Sequence, residues 1–227
     1  MGTTDADPLV IVGVQFNEVG TENGAKFKDI KGDFEDFDTL QFSFTDEDGL
    51  PAFKDFYYLT VDGTGVTEDG WYDGEDWDNP VSDQNLELGR AAWFSPNSAK
   101  SLNISGEVKK GHKIHTFTDP MTFACSYYPV PFCPNAATVS FPYAEEFDTI
   151  QRAYTDADGL PAFKDFYYLT TDGTGVPADG WYDGEDWDAP LSPTTPVANA
   201  GEGFWYSPNT FETASFTEIS PLGDTAE

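Results

Sequence analysis

The 227-residue chain carries 41 acidic and 11 basic residues, and its formal net charge of −30 excludes nucleic acid and anionic membranes as partners because both would be repelled. Hydrophobic residues make up 39% of the chain and aromatic residues 16%, so the composition allows a packed core and excludes a disordered chain. The longest apolar run, near Leu9–Phe16, has only the length of a strand, so no membrane insertion is expected.

The predicted elements are strands from the beginning of the chain onward. The apolar segment Val10–Phe16 is the first, and it could pair within its own domain or complete a sheet in a neighbouring copy. In the segment Thr39–Thr45, Leu, Phe and Phe alternate with polar residues, which indicates a strand with one buried face. The apolar segment Phe56–Leu59 predicts a central strand, and Asp-Gly turn signals separate short segments after it.

An internal repeat organises the chain. Segments 46–80 and 156–190 differ at only five of 35 positions, namely 47/157, 61/171, 67/177, 68/178 and 79/189. The flanking segments also correspond, with an offset of 110 before this block and 112 after it. Many short strands with regularly spaced turns are typical of sandwiches, so the sequence predicts an all-β protein of two tandem, homologous β-sandwich-like domains, 1–108 and 109–227.

The repeated acids suggest calcium. Hard cations take six to eight oxygen ligands, and loop carboxylates supply them. The spacing does not match an EF-hand, and aspartates also form ordinary turns, so a surface adapted to high salt or simply a soluble one explains the acid equally. The Ca²⁺ candidates are Asp46, Asp48, Asp73, Asp76 and Asp78, with their counterparts Asp156, Asp158, Asp183, Asp186 and Asp188.

Three other groups of residues are candidates for function. The grouped lysines could dock on acidic surface of a neighbouring copy: Lys26, Lys28 and Lys31 in one place, Lys109, Lys110 and Lys113 in another. Four tryptophans could stack on sugars if they are exposed, and otherwise belong to the core: Trp71, Trp77, Trp181 and Trp187. Cys125 and Cys133 could form a disulfide only if the chain turns at the intervening prolines, and are otherwise free thiols.

No pattern in the sequence indicates an enzyme. The same carboxylates occur in both copies, whereas a duplicated complete active site is unusual, and no phosphate-binding loop or Cys-x-x-Cys pair is present. The start of the chain, Met1–Asp5, lacks the basic and apolar regions of a signal peptide, so an exported protein would have lost its leader.

The run Asp-Gly-Trp-Tyr-Asp-Gly, followed by Gly-Phe-Trp-Tyr at Gly203–Tyr206, resembles a repeat of uncharacterised exported bacterial proteins with tandem β domains. Their pattern reads YYLT…DGWYDG…GxGFW, and the likeness is strongest over 37–97 and 147–209. The first copy departs from it at Arg90–Trp93. The resemblance implies export and a surface or structural role.

These observations favour a structural subunit of an extracellular or cell-surface assembly, in which copies of the chain join head to tail into a filament. The alternative is an adhesive module that binds polysaccharide through exposed aromatic rings, with or without Ca²⁺.

Overall fold

The computed structural model describes residues 10–18, 24–98, 100–117, 122–158, 160–210 and 214–222. The prediction of an all-β fold is confirmed, because nearly all regular structure is antiparallel sheet. Among the described residues, no helix has the length and apolar character needed to cross a membrane.

The first half of the chain forms one large sheet with the strand order β1-β9-β4-β5-β6-β7. Two short ribbons, β2–β8 and β3–β10, accompany it, together with a 3-10 turn at Phe27–Asp29 and a single helical turn, α1, at Val61–Thr64. The strands are β1 (Val10–Gly13), β2 (Ala25–Lys26), β3 (Ile30–Lys31), β4 (Thr39–Thr45), β5 (Pro51–Leu59), β6 (Gly70–Asp73), β7 (Asp76–Pro80), β8 (Asn85–Leu86), β9 (Ala91–Ser95) and β10 (Asn103–Ile104).

The second half forms a five-stranded sheet, β12-β17-β14-β15-β16, and a three-stranded sheet, β11-β18-β13. Phe216 of β18 and Phe117 pack with Ile150 and Phe166 in one core, so the two sheets form layers around it. The strands are β11 (His112–Thr116), β12 (Thr122–Cys125), β13 (Val139–Ser140), β14 (Thr149–Thr155), β15 (Pro161–Leu169), β16 (Gly180–Asp183), β17 (Gly203–Ser207) and β18 (Ser215–Ile219).

The large sheets of the two halves have the same connectivity. The order β1-β9-β4-β5-β6 in the first becomes β12-β17-β14-β15-β16 in the second. Strands β4, β5 and β6 precede their counterparts by 110 residues, and β1 and β9 precede theirs by 112. The apolar segment at residues 10–13 pairs with β9 of its own half, in accordance with the first of its two predicted pairings. Each half has its own buried cluster, centred on Phe27, Phe56 and Trp71 in the first and on Phe166, Phe204 and Trp181 in the second.

A third buried cluster lies between the halves and is built from reciprocal contacts. The amide of Gly13 donates to the carbonyl of Gly201 at 2.9 Å, and the amide of Cys125 donates to the carbonyl of Gly89 at 2.9 Å. The second bond is the counterpart of the first, because Gly13 and Cys125 are 112 residues apart, and so are Gly89 and Gly201. In a two-fold interface, if residue i of one half contacts residue j of the other, the counterpart of i contacts the counterpart of j. The two bonds follow this rule, so the halves meet as the subunits of a symmetric dimer would.

Aromatic rings at the junction also make pairs of equivalent contacts between the two halves. Trp93 packs against Phe163 with ring centroids 5.6 Å apart, and the corresponding pair, Phe53 and Trp205, is 6.0 Å apart. At the centre of this junction the residues are unlike: Gly13 faces Cys125, and Ala91 faces Gly203. Small residues oppose larger ones where two identical side chains would collide, so each half is shaped to fit the other.

Candidate binding site: two exposed aromatic platforms

Each half carries a cluster of three rings that is only partly covered. In the first, Phe37 lies 6.3 Å from Tyr57 and 6.1 Å from Trp77 between ring centroids. Phe37 and Trp77 keep 47% and 45% of their surface exposed. We call this set of three residues the first platform. Single exposed apolar side chains are ordinary, but adjacent aromatic rings form a surface on which a ligand can stack.

The second platform consists of the corresponding residues Phe147, Tyr167 and Trp187. Their ring centroids are 6.3–6.4 Å apart in all three pairs. Phe147 is 48% exposed and Trp187 is 42% exposed, nearly the values of the first platform. The chain therefore presents the same aromatic surface twice.

The backbone at the platforms adopts a conformation that phenylalanine normally avoids. Phe37 and Phe147 both have φ of 67°, in the left-handed region. A side chain with a Cβ costs roughly 1–2 kcal/mol there. The amide of Phe37 is held by the carbonyl of Tyr58 at 2.8 Å, and that of Phe147 by Tyr168 at 2.8 Å. Both halves keep a ring at a position that glycine or asparagine would occupy at lower cost, which points to a use for the ring itself.

A buried aspartate fixes each of these turns. Asp38 accepts hydrogen bonds from the amides of Glu35 and Asn97, both at 2.8 Å, and its carboxylate pairs with the Lys100 ammonium at 2.6 Å. Asp38 and Lys100 are almost fully buried, with side-chain exposures of 0% and 4%.

The second half holds the equivalent aspartate, and no cation lies beside it among the residues that the structure describes. Asp148 accepts from the amide of Asn209 at 2.6 Å and from the hydroxyl of Tyr206 at 2.9 Å. Burial of this carboxyl raises its pKa, although those two hydrogen bonds act in the opposite direction. Burial, followed by the Asp148 charge, also raises the pKa of Tyr206, so the phenol remains a donor.

The two aspartates should therefore respond differently to removal of their charge. D38N leaves the buried Lys100 ammonium without its closest partner, and we expect it to lower the free energy of unfolding by about 3 kcal/mol. D148N removes an ion that burial disfavours, and we expect a loss of no more than about 1 kcal/mol. Urea unfolding at neutral pH measures both, and equal losses would contradict this assignment.

The raised pKa of Asp148 predicts how the difference in stability between the wild type and D148N changes with pH. The native state binds a proton at Asp148 at higher pH than the unfolded state does, so this group adds stability as the pH falls through its raised folded pKa toward 3.8. The stability difference between the wild type and D148N should shift in favour of the wild type over that window.

A tight turn positions the tryptophan of each platform. Gly74 donates to the carbonyl of Asp55 at 2.9 Å, and a Cβ on Gly74 would lie 2.9 Å from that same oxygen. Only glycine lets the turn after β6 approach β5 this closely. Asp73 stabilises the turn by accepting from the amide of Glu75 at 3.2 Å and by pairing with Lys54 at 2.5 Å.

Polar groups border the rings. The hydroxyl of Tyr57 donates to Asp55 at 3.3 Å, and Asp55 also accepts from the amide nitrogen of Gln41 at 2.8 Å. In the second half, Tyr167 donates to Asp165 at 3.1 Å. Burial and the neighbouring carboxylates raise the pKa of both tyrosines, so each platform combines ring faces with a protonated phenol.

For two of the four tryptophans named as stacking candidates, the structure selects the core alternative. Trp71 is 3% exposed and packs against Phe34 and Tyr58, while Trp181 is 1% exposed and packs against Phe141. Strands β6 and β16 are covered on both faces, since the adjacent Tyr72 and Tyr182 are fully buried as well. The next exposed ring comes only after the turn.

The aspartates predicted to bind Ca²⁺ serve mainly as turn residues. Asp46 accepts from the amides of Asp48 and Leu50, and Asp76 accepts from that of Asp78. The second half repeats these bonds at Asp156 and Asp186, and Asp183 pairs with Lys164 at 2.6 Å. Within the described ranges, no three His, Cys, Asp or Glu side chains converge as a metal-ligand set. Ca²⁺ binding stays a prediction.

The first group of lysines is engaged within the molecule. Lys28 pairs with Asp83 at 2.7 Å, Lys26 pairs with Glu18 at 3.2 Å, and Lys31 donates to the carbonyl of Lys28. This group therefore offers less uncompensated charge than the sequence suggested. In the second group, Lys110 is exposed and Lys113 is half-buried on β11.

Cys125 and Cys133 are free thiols, so the disulfide alternative was wrong. Cys125 lies in the junction between the halves, where burial raises the pKa of its thiol well above the ordinary value, whereas Cys133 is partly exposed. We expect a thiol reagent at pH 8 to modify Cys133 alone in the folded protein and both thiols in denaturant. Rapid modification of two thiols in the folded state would contradict this placement.

No family model, curated protein or solved structure matches the chain.

Phe37 and Phe147 were not recognised as site residues from the sequence. A signal was present: both copies contain Phe-Asp-Thr immediately before the alternating strand, outside the apolar pattern that the core requires. Sequence alone could not show that this ring reaches Trp77, which lies 40 residues further along the chain.

Proposed function

We propose that this protein binds neutral polysaccharide through two equivalent aromatic platforms. The observation that carries the proposal is the duplicated surface of three adjacent rings, each built on a phenylalanine in left-handed backbone. Sugar rings stack on aromatic faces through their apolar C–H surfaces, while bordering phenols and carboxylates bind their hydroxyl groups.

The distribution of identity between the repeats supports this proposal. Outside the near-identical block the halves have diverged even in buried positions, such as Leu86 against Ala198 and Gly13 against Cys125. Inside it, exposed residues are retained, including Trp77 and its counterpart Trp187. Core packing does not require identical exposed residues, so a ligand common to both platforms explains their retention.

Charge narrows the ligand class. The molecule has a net charge of −30, and carboxylates flank each platform at Asp55 and Asp165. Uronate-containing or sulfated polymers would be repelled, whereas neutral glycans would not. The proposal requires no catalytic group. We also propose that the protein is exported, as the sequence resemblance implies.

Affinity electrophoresis tests the proposal directly. The wild type should be retarded in gels containing a neutral polymer from a panel of β-glucan, arabinoxylan and galactomannan, and not in gels containing polygalacturonate or heparin. A W77A/W187A variant should migrate as in a polymer-free gel. Equal mobility of the wild type in all gels, or retardation by the anionic polymers alone, would refute the proposal.

A structural subunit that joins copies of itself remains a second candidate. It is favoured by two unlike exposed surfaces of opposite charge, which are described in the next subsection.

A further inference from the structure

The turn between β4 and β5 exposes apolar side chains within an acidic segment. Leu50 is 60% exposed and Phe44 is 40% exposed, and Asp46, Glu47 and Asp48 lie between them in the chain. We call residues 44–50 the acidic tip. Asp46 stabilises its shape by accepting from the amides of Asp48 at 3.0 Å and Leu50 at 2.8 Å. A preformed turn loses little entropy on binding.

A surface of the opposite character occurs at β11. This strand lies at one edge of the three-stranded sheet, and its Ile114 is 63% exposed. Lys110 and Lys113 are close to it in the chain. We call residues 110–114 the basic strand. Lys110 is exposed beside this strand, whereas Lys113 is half-buried on the face opposite to Ile114, because successive strand residues point to opposite faces. The exposed part of the basic strand therefore combines an aliphatic side chain with the charge of Lys110.

We propose that the acidic tip of one copy docks on the basic strand of a second copy. The inference rests on the second candidate function and gives it an interface. The two surfaces are complementary in charge and each contributes an exposed aliphatic side chain. The −30 charge of each molecule opposes any approach of two copies, so the contact must be made where positive charge is concentrated.

Because the tip and the strand are different surfaces, the contact is heterologous. A pair of copies keeps an unused basic strand at one end and unused tips elsewhere, including the equivalent turn of the second half, where Leu160 is 60% exposed and Ala157 replaces Glu47. Such a contact continues into an open chain unless its rotation closes a ring. The two-fold junction between the halves, in contrast, is buried within one molecule, so no further copy binds there.

Sedimentation velocity tests this contact at about 0.15 M salt, where the Debye length of about 8 Å screens the net repulsion but not touching charges. The wild type should form dimers and longer species with rising concentration. K110E/K113E and E47K/D48K/D158K should each remain monomeric, the third change removing the acid of the equivalent turn in the second half. Combining all five changes restores opposite charges across the contact and should restore association.

The matched control, D62K/E68K, reverses two exposed acids away from the tip and should associate at least as well as the wild type. Circular dichroism shows whether each variant is folded, and affinity electrophoresis follows glycan binding separately, so failure of one function is distinguishable from failure of the other. Association that survives either charge reversal, or a wild type that stays monomeric up to about 1 mM, the range of very weak contacts, would overturn the inference.

Discussion

Replacing Trp187 by alanine should weaken binding of a neutral oligosaccharide at the second platform by at least about 30-fold, or about 2 kcal/mol, as expected for a central aromatic contact. The indole is 42% exposed and packs mainly against Phe147 and Tyr167, so its loss should change the free energy of unfolding little. Isothermal titration calorimetry measures the affinity, and urea unfolding measures the stability.

Two further variants separate stacking from structure. L160A removes an aliphatic side chain that is 60% exposed and belongs to neither platform, and it should bind like the wild type. F147N removes a platform ring while relieving the left-handed strain, since asparagine tolerates positive φ better. Made in a W77A background, so that the second platform alone is measured, F147N should lower the affinity without lowering the stability. A stable W77A/F147N that binds as W77A does would show that the ring has no role in recognition.

Replacing Gly13 by alanine should lower the free energy of unfolding by about 2–3 kcal/mol, the range for overpacking a filled core. A Cβ at this position would lie 2.5 Å from the Cβ of Cys125 and 3.2 Å from the carbonyl oxygen of Glu202. Because φ at Gly13 is not positive, the cost is steric and comes from forcing the two halves apart. Thermal or urea unfolding measures it.

The two-fold packing offers a rescue of this variant. Exchanging the two residues, as in G13C/C125G, transfers the side chain to the symmetry-related position, so the double variant should be more stable than the sum of its single changes predicts, by more than about 1 kcal/mol. G70A is the control, since a Cβ there would lie 3.5 Å from Pro80, an ordinary contact, and should be nearly neutral. Additive effects of the two changes would contradict reciprocal packing at the junction.

Much of the fold followed from local sequence patterns. Alternation at residues 39–45 located β4, and turn signals located the hairpins, because both depend on neighbouring residues. Even so, Phe44 continues that alternation yet is 40% exposed, since the hairpin extends beyond the core that covers Leu40. A pattern shows which face a residue occupies, but not where the opposite layer ends.

The candidate site was predicted only in part for the same reason. Trp71 and Trp77 are equivalent in hydrophobicity, and only the turn at Gly74 places one in the core and the other on the surface. The junction between the halves was not predictable, because reciprocity between Gly13 and Cys125 arises from the tertiary arrangement. In the sequence, the junction is indicated only by a glycine in one repeat at a position where the other repeat has a larger residue.

The most direct test of the two-platform account is the number of short neutral oligosaccharides bound per chain at saturation, measured by calorimetry with a ligand from the polymer retained in electrophoresis. The account predicts two equivalent sites in the wild type, one in W77A or W187A, and none in W77A/W187A. A double variant that still binds with the wild-type stoichiometry would place recognition elsewhere on the molecule and contradict the account.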